Sequence, residues 1–200
     1  SASSFQALTD IVGLTLAVAN GSPTFTANRG YNGVGNSTTV YIDTRFNPSP
    51  GTFNYVRNSA HVSVWQPTVG IVTSSRLVGQ NGASDTTTIS ELADNPAVAY
   101  CVTDGTATPQ VTANSATGHL LAQRTGANAS AIYQNGNTTP LGTNSDASAA
   151  INNQNFYALA WNNFGSAQSG SAQTVAMLSF GSSLTTANIT ALYNHLRTYM

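Results

Sequence analysis

Sixteen side chains carry nearly all the ionisable chemistry of this 200-residue chain: seven acids, six arginines and three histidines. A retaining glycosidase needs two carboxyls roughly 5 Å apart, one as nucleophile and one as acid. The one glutamate, Glu91, stands in SELADNP, and its acidic neighbour Asp94 is three residues on. On a strand those two side chains point to opposite faces, so they do not flank one bond. Nucleophilic chemistry fares no better. There is no Gly-x-Ser-x-Gly elbow, and no motif places a histidine beside Cys101. Cys101 lies in the strand-like AVAYCVTD, where a buried, inert thiol is expected. His61, His119 and His195 show no His-x-x-x-His metal spacing. No catalytic residue is assigned, and none of the acids is assigned to a metal.

Binding a sugar asks for less: an aromatic platform for its C–H face and a few polar groups for its hydroxyls. In AHVSVW, strict alternation sends Ala60, Val62 and Val64 one way and His61, Ser63 and Trp65 the other. In TTVYIDTRF, Tyr41, Asp43 and Arg45 point away from Val40, Ile42, Thr44 and Phe46. Tyr157 and Trp161 lie two steps of alternation apart in YALAW. If the first two stretches are adjacent strands, then Tyr41, Asp43, Arg45, His61, Trp65, Tyr157 and Trp161 make one candidate carbohydrate-binding face. The competing reading covers the same residues with loops, a terminal helix or a neighbouring subunit.

The elements that must position these residues are clearest at the end of the chain. From Thr174, Val175, Met177 and Ser179 alternate with Ala176, Leu178 and Phe180, as in a strand buried on both sides. After Gly181 the period changes to 3.6: Ile189, Leu192, Leu196 and Tyr199 recur at helical spacing, with Tyr193 and Met200 widening the stripe. Thr185 is placed to cap this helix, Arg197 suits the dipole of its last turn, and His195 falls on its solvated side. No other segment reads as a comparable helix. Strands are predicted at Thr15–Ala19, Thr38–Phe46, Ala60–Trp65, Gly70–Thr73, Thr87–Ser90, Ala97–Thr103, Gln110–Ala113, His119–Arg124, Ser130–Gln134 and Asn155–Asn162. Asn135-Gly136 after AIYQ is a hairpin signal. Short strands joined by Gly, Asn and Ser turns argue an antiparallel all-β sandwich closed by one C-terminal amphipathic helix. Residues 1–23 read as an arm or first strand, and 24–200 as one domain.

Only 6% of residues are charged, against about 25% in a typical domain. Six arginines and no lysine cannot raise the basic field that nucleic acid requires. No apolar run approaches the ~20 residues of a membrane span, so no membrane insertion is expected. The N-terminal SASSFQALTD shows neither a basic nor an apolar signal region. With one cysteine, no intrachain disulfide forms.

The order YIDTRFNPSP, NYVRNSAHVSVW, AIYQNGN, NFYALAWNN and SFGSSLTTANITALYNHLRTYM resembles the concanavalin A-like lectin/glucanase superfamily. Within it, the likeness is to laminin-G-like domains of tailed-bacteriophage and prophage structural proteins, over roughly residues 24–200. Arg45 stands where that family favours glycine. The resemblance implies a jelly-roll of two antiparallel sheets, a fold that hosts lectins, glycanases and adhesion modules alike. Glycanases of the fold carry a Glu-x-Asp-x-x-Glu strand that is absent here. His61 and His119 with Arg45 or Arg124 offer the residue types of a lyase without the lyase motifs. Laminin-G relatives often hold Ca²⁺ through Asp and carbonyl oxygens. Here Asp10, Asp43, Asp85, Asp94, Asp104 and Asp146 are scattered, so no ligand set and no cofactor is assigned. What the resemblance implies is a non-enzymatic module of a tail or head fibre on the virion surface, recognising host cell-surface glycan. It would contact other virion proteins and form a homo-oligomer, by analogy a trimer. The alternatives are a decoration or oligomerisation domain without a ligand of its own and, behind it, a polysaccharide-degrading enzyme.

Overall fold

The computed structural model describes residues 15–49, 54–68, 75–91, 97–104, 110–112 and 117–200. The expected strand at Gly70–Thr73 and Asp94 lie outside the described residues. In chain order the strands are β1 (Val18–Asn20), β2 (Thr24–Thr26), β3 (Gly30–Asn32), β4 (Tyr41–Asp43), β5 (Ala60–Gln66), β6 (Ser75–Asn81), β7 (Thr86–Glu91), β8 (Ala97–Asp104), β9 (Gln110–Thr112), β10 (Gly118–Gly126), β11 (Ala129–Gln134), β12 (Gly142–Asn144), β13 (Tyr157–Ala158), β14 (Trp161–Asn163), β15 (Ser166–Gln168), β16 (Thr174–Val175) and β17 (Met177–Gly181). One helix follows, α1 (Thr186–Arg197).

The strands form a jelly-roll sandwich. The larger sheet runs β1-β4-β13-β6-β7-β8-β9, with the β14–β15 hairpin attached to β6. The smaller runs β12-β11-β10-β5-β17, and β16-β3-β2 form a short third sheet. Pairing is antiparallel except where β14 runs parallel to β6. Alternation fills the space between the main sheets. Val62, Val64, Leu120, Ala122 and Ile132 meet Ile42, Val78, Ile89, Tyr100 and Ala158 from the other side, all buried. Each large apolar side chain buried here contributes roughly 1.5–3 kcal/mol. Part of the core is aromatic: Phe46 stacks on Phe180 at 4.6 Å between ring centroids, with Phe156 4.9 Å from Phe180.

Several elements differ from the sequence reading for local reasons. The segment 38–46 is a regular strand only over Tyr41–Asp43; beyond it Arg45 takes a left-handed φ of 60°, and the Thr44 N–H and Phe46 carbonyl bond to Phe156 on either side of that turn. The expected single strand Asn155–Asn162 is two, since Leu159 at φ 63° bends the backbone between β13 and β14. β6 escaped prediction: a register shift between Arg76 and Val78 breaks its alternation, and its interior carries Gly79. Gly30 to Asn32, outside the predicted strands, pairs on both sides and buries Tyr31. The Asn135-Gly136 turn is as expected, both residues at positive φ, with Asn137 N–H donating to the Gln134 carbonyl at 3.0 Å.

At the Asp104 end of β8 the two sheets share one buried cation. Arg124, on β10 of the smaller sheet, is fully buried. Its Nε donates to the Val102 carbonyl of β8 at 2.6 Å, and Nη2 lies 3.3 Å from Asp104 Oδ2. Nη1 donates to the carbonyls of Ala127 and Asp146 at 3.1 and 3.0 Å. An assembly of carboxylate and carbonyl oxygens is what a hard cation takes, and here a guanidinium fills it. Removing one partner of such a pair strands the other charge in a medium that cannot solvate it. Asp104→Ala is therefore expected to cost about 3–5 kcal/mol in urea unfolding at pH 7. A loss below about 1 kcal/mol would show that the carbonyls alone satisfy the guanidinium.

Candidate functional site

Two of the seven expected residues lie beneath the terminal helix and the chain that leads into it. β4 and β5 are not adjacent; they belong to different sheets. His61 and Trp65 do point away from the core, but onto the face of the smaller sheet that α1 covers. Thr185 Oγ1 accepts the Asn188 N–H at 3.3 Å and starts the helix. Ile189 is buried, and the Tyr193 ring lies parallel to Trp65, 5.6 Å between centroids and 4° between planes. Trp65 is 8% exposed. His61 is held by the chain that leads into the helix: Nδ1 donates to the Ser182 carbonyl at 2.6 Å and Nε2 accepts from Ser179 Oγ at 3.1 Å. The expectation that His61 and Trp65 join a sugar-binding face is corrected: they are the bed of the terminal helix. His119 lies in the same bed, 5.9 Å from Trp65 between ring centroids. Its Nε2 finds no hydrogen-bond partner among the described residues.

Tyr41, Asp43, Arg45 and Tyr157 come together on the outer face of the larger sheet. Ile42 and Ala158 enter the core, so their neighbours face outward, and Tyr157 pairs directly with Asp43. The Tyr41 and Tyr157 rings stack at 4.4 Å and 26°, and Tyr157 is buried beneath Tyr41 with Ala160 and Ala167. Burial, with Tyr41 and Asp43 adding to it, pushes the Tyr157 hydroxyl up to about 12, so it is a neutral hydroxyl at physiological pH. Asn155 Nδ2 donates to both Asp43 oxygens, at 3.0 and 3.3 Å. The Arg45 N–H donates to Asp43 Oδ1 at 2.9 Å, and Arg45 Nε lies 3.5 Å from Oδ2. β4 and β6 both run antiparallel to β13, so Arg45 and Asn81 emerge at the same end of the sheet. There Asn81 donates to Asn163 Oδ1 at 2.6 Å, and Asn163 donates to Gln168 Oε1 at 2.9 Å. Gly165 N–H donates to Gln154 Oε1, leaving Phe164 exposed at the hairpin tip.

Trp161 is placed differently from the expectation. The Leu159 bend takes it off the Tyr157 strand, and its ring is capped by the Arg76 guanidinium at 4.7 Å. Asn81, Asn155, Asn163 and Gln168 were missed by sequence reading. The only signal for Asn155 and Asn163 was the density of amides in INNQN and WNN, and Asn81 and Gln168 stand in the turn-like GQNG and SAQSG. A separate hollow of about 420 Å³ opens beside the β10–β11 turn, lined by Thr125, Asn128, Tyr133, Thr143 and Asn144. Among the described residues, no group of three or more His, Cys, Asp or Glu side chains could hold a metal ion. Cys101 is buried, and that burial pushes its thiol up to about 12.

No protein-family model and no curated protein sequence matches the chain. Its fold is shared with solved β-sandwich domains. The binding domain of Paraclostridial Mosquitocidal Protein 1 superposes with a TM-score of 0.63 at 13% identity, over 94% of this chain and 49% of that one. Botulinum neurotoxin type C, described in terms of cell entry dependent on interaction with two ganglioside molecules, gives 0.65 at 10% identity over 90% and 46%. The CBM40 of the Ruminococcus gnavus IT-sialidase, bound to α2,3-sialyllactose, gives 0.56 at 13% identity over 81% and 96%. The chain thus spans about half the length of the toxin chains and nearly the whole of the CBM40. At these identities the likeness is one of fold.

The buried histidine gives the helix bed a pH dependence. Burial first, and His61 second, holds His119 down at about 4, against an ordinary value of 6.5. The unfolded chain therefore binds this proton in a range where the folded chain refuses it. The contribution is complete above about pH 6.5 and is lost as pH falls toward 4, on the order of 3 kcal/mol in all. Denaturant unfolding at pH 7 and pH 4.5 is expected to show this loss, and His119→Leu to remove its share, His61 being held down by burial as well. Equal stability at the two pH values in the unsubstituted protein would refute the assignment.

Proposed function

We propose that the chain is a non-catalytic glycan-binding module whose contact surface is the outer face around Tyr41, whose ring is backed by the buried Tyr157. The observation that carries this reading is the stacked tyrosine pair set among hydrogen-bonding side chains: Asp43, Arg45 and Asn155 beside it, Asn163 and Gln168 toward the β14–β15 hairpin. Aromatic rings suit the C–H face of a sugar, and amides both donate to and accept from its hydroxyls. The fold is also that of domains whose structures hold a sialylated sugar or concern gangliosides. The carboxyls support binding over hydrolysis. Asp43 is committed to Asn155 and Arg45. Asp104 and Asp146 share the Asn144 amide, but Asp104 is buried against Arg124 and is held as a structural anion. On the resemblance of YIDTRFNPSP and the terminal SLTTANITALY to phage laminin-G-like domains, we place the module on a virion surface, in a fibre beside other virion proteins and further copies of itself.

A glycan array read with the full chain tests this. Binding is expected, with a loss of about tenfold or more in Tyr41→Ala and Asn163→Ala and none in Tyr199→Ala, which lies beyond the helix on the other side of the sandwich. A folded protein silent across the array would favour a decoration or oligomerisation domain. Retained binding in both face variants would move the site elsewhere.

A further inference from the structure

The backbone around the tyrosine pair is strained at several positions. Ten non-glycine residues among those described have positive φ. Four are asparagine, which tolerates this region, and two are serine. The remaining four are Thr103 at 49°, on β8, and three long side chains, Arg45 at 60°, Leu159 at 63° and Phe164 at 52°. The three long side chains border the proposed face: Arg45 follows β4, Leu159 follows β13, and Phe164 forms the β14–β15 tip. At position 45 glycine would hold the same turn free of strain. Arginine holds this turn at a cost that glycine would not carry, and strain of this kind gathers at ligand sites.

The other cations are engaged differently. Arg124 is buried in its node, Arg57 donates to Ser148, Arg76 covers Trp161, and Arg197 lies over Tyr193. Arg29 sits in the β2–β3 turn, its N–H donating to the Thr26 carbonyl at 3.0 Å. Arg45 alone adjoins the aromatic pair. Its side chain is 50% exposed, while that of Asp43 is 14% exposed. Asp43 spends its oxygens on Asn155, on the Arg45 backbone N–H and on Nε. It therefore fixes the root of the guanidinium, and the two terminal nitrogens donate to no described group. The outward end of this ion pair is cationic, and two parallel N–H groups of guanidinium match a carboxylate in geometry as well as charge.

We propose that the face takes an acidic glycan, one bearing a carboxylate, and that Arg45 is the residue that selects it. This rests on the glycan-binding reading above. The carboxylate sits on the Nη pair, the ring lies toward Tyr41, and the hydroxyls meet the amides. Fixing the guanidinium by Asp43 lowers the ordering cost of forming the pair.

The test is calorimetric titration of the full chain with α2,3-sialyllactose, lactose and 3′-sulfated lactose, in the unsubstituted protein and in Arg45→Gly and Arg45→Lys, with melting temperatures measured alongside. Sialyllactose is expected to bind at least about tenfold tighter than either other sugar. Arg45→Gly is expected to abolish that margin while melting within about 2 °C of the parent or above it, because glycine relieves the left-handed strain. Arg45→Lys keeps the charge without the fork and is expected to recover only part of the margin. Equal affinity for lactose and sialyllactose, unchanged by Arg45→Gly, would overturn the acidic assignment and leave glycan binding standing. Equal affinity for sulfated and sialylated lactose would overturn the carboxylate. Binding of none of the three, with a silent array, would overturn the underlying reading itself.

Discussion

The rest of the sandwich depends on a guanidinium withdrawn from water. Arg124 belongs to the smaller sheet, yet it is satisfied by Val102 and Asp104 of the larger one and by carbonyls of the β10–β11 turn and the segment after β12. Ser148 N–H donates to the Ala127 carbonyl, Ala149 N–H to that of Thr103, and Arg57 reaches in to Ser148. The two sheets are thereby tied at one end by charge and hydrogen bonds, while apolar contacts hold them between. Such a node earns little net energy over an apolar plug. What it fixes is where β10 lies against β8, whose Val102 carbonyl and Asp104 carboxylate both take the guanidinium.

The two outer faces of the sandwich meet opposite fates. On the smaller sheet, α1 returns over β5 and β10 and takes Trp65, His61 and His119 out of solvent. Tyr193 closes on Trp65, and the Leu184 N–H donates to Gln123 Oε1 at 2.7 Å. On the larger sheet, Tyr41 and Tyr157 cover one another, and Arg45 stays half-exposed beside them. Charge is scarce enough that its placement is informative. Where it is used, it is either sealed, as in Arg124 and Asp104, or held at a face, as in Arg45 and Asp43. The remainder of the surface relies on amides and hydroxyls, which bond one another in chains such as Thr86–Asn81–Asn163–Gln168.

Alternation alone made much of this legible. It assigned Ile42, Val62 and Val64 inward and Tyr41, Asp43, His61 and Trp65 outward, and the Thr185 cap and the Asn135-Gly136 turn were visible as short-range chemistry. What it could not show was which outward face stays open. That is decided by a helix more than 120 residues after β5, and parity within one strand carries no information about such a partner. Nor could it show that β4 and β5 belong to different sheets. The remaining errors are bends: Leu159 separates Trp161 from Tyr157, and the register shift in β6 hides a strand that flanks the site. Both interrupt the period that a sequence reader follows.

The most direct measurement is an amide chemical-shift titration of the isotopically labelled chain with a sialylated oligosaccharide. Contact at the open face would perturb Tyr41 to Arg45, Asn155 to Tyr157 and Asn163 to Gly165, and leave α1 and β5 unchanged. Shifts confined to α1 and β5, or none at concentrations that saturate a weak sugar site, would contradict the assignment of function to this face.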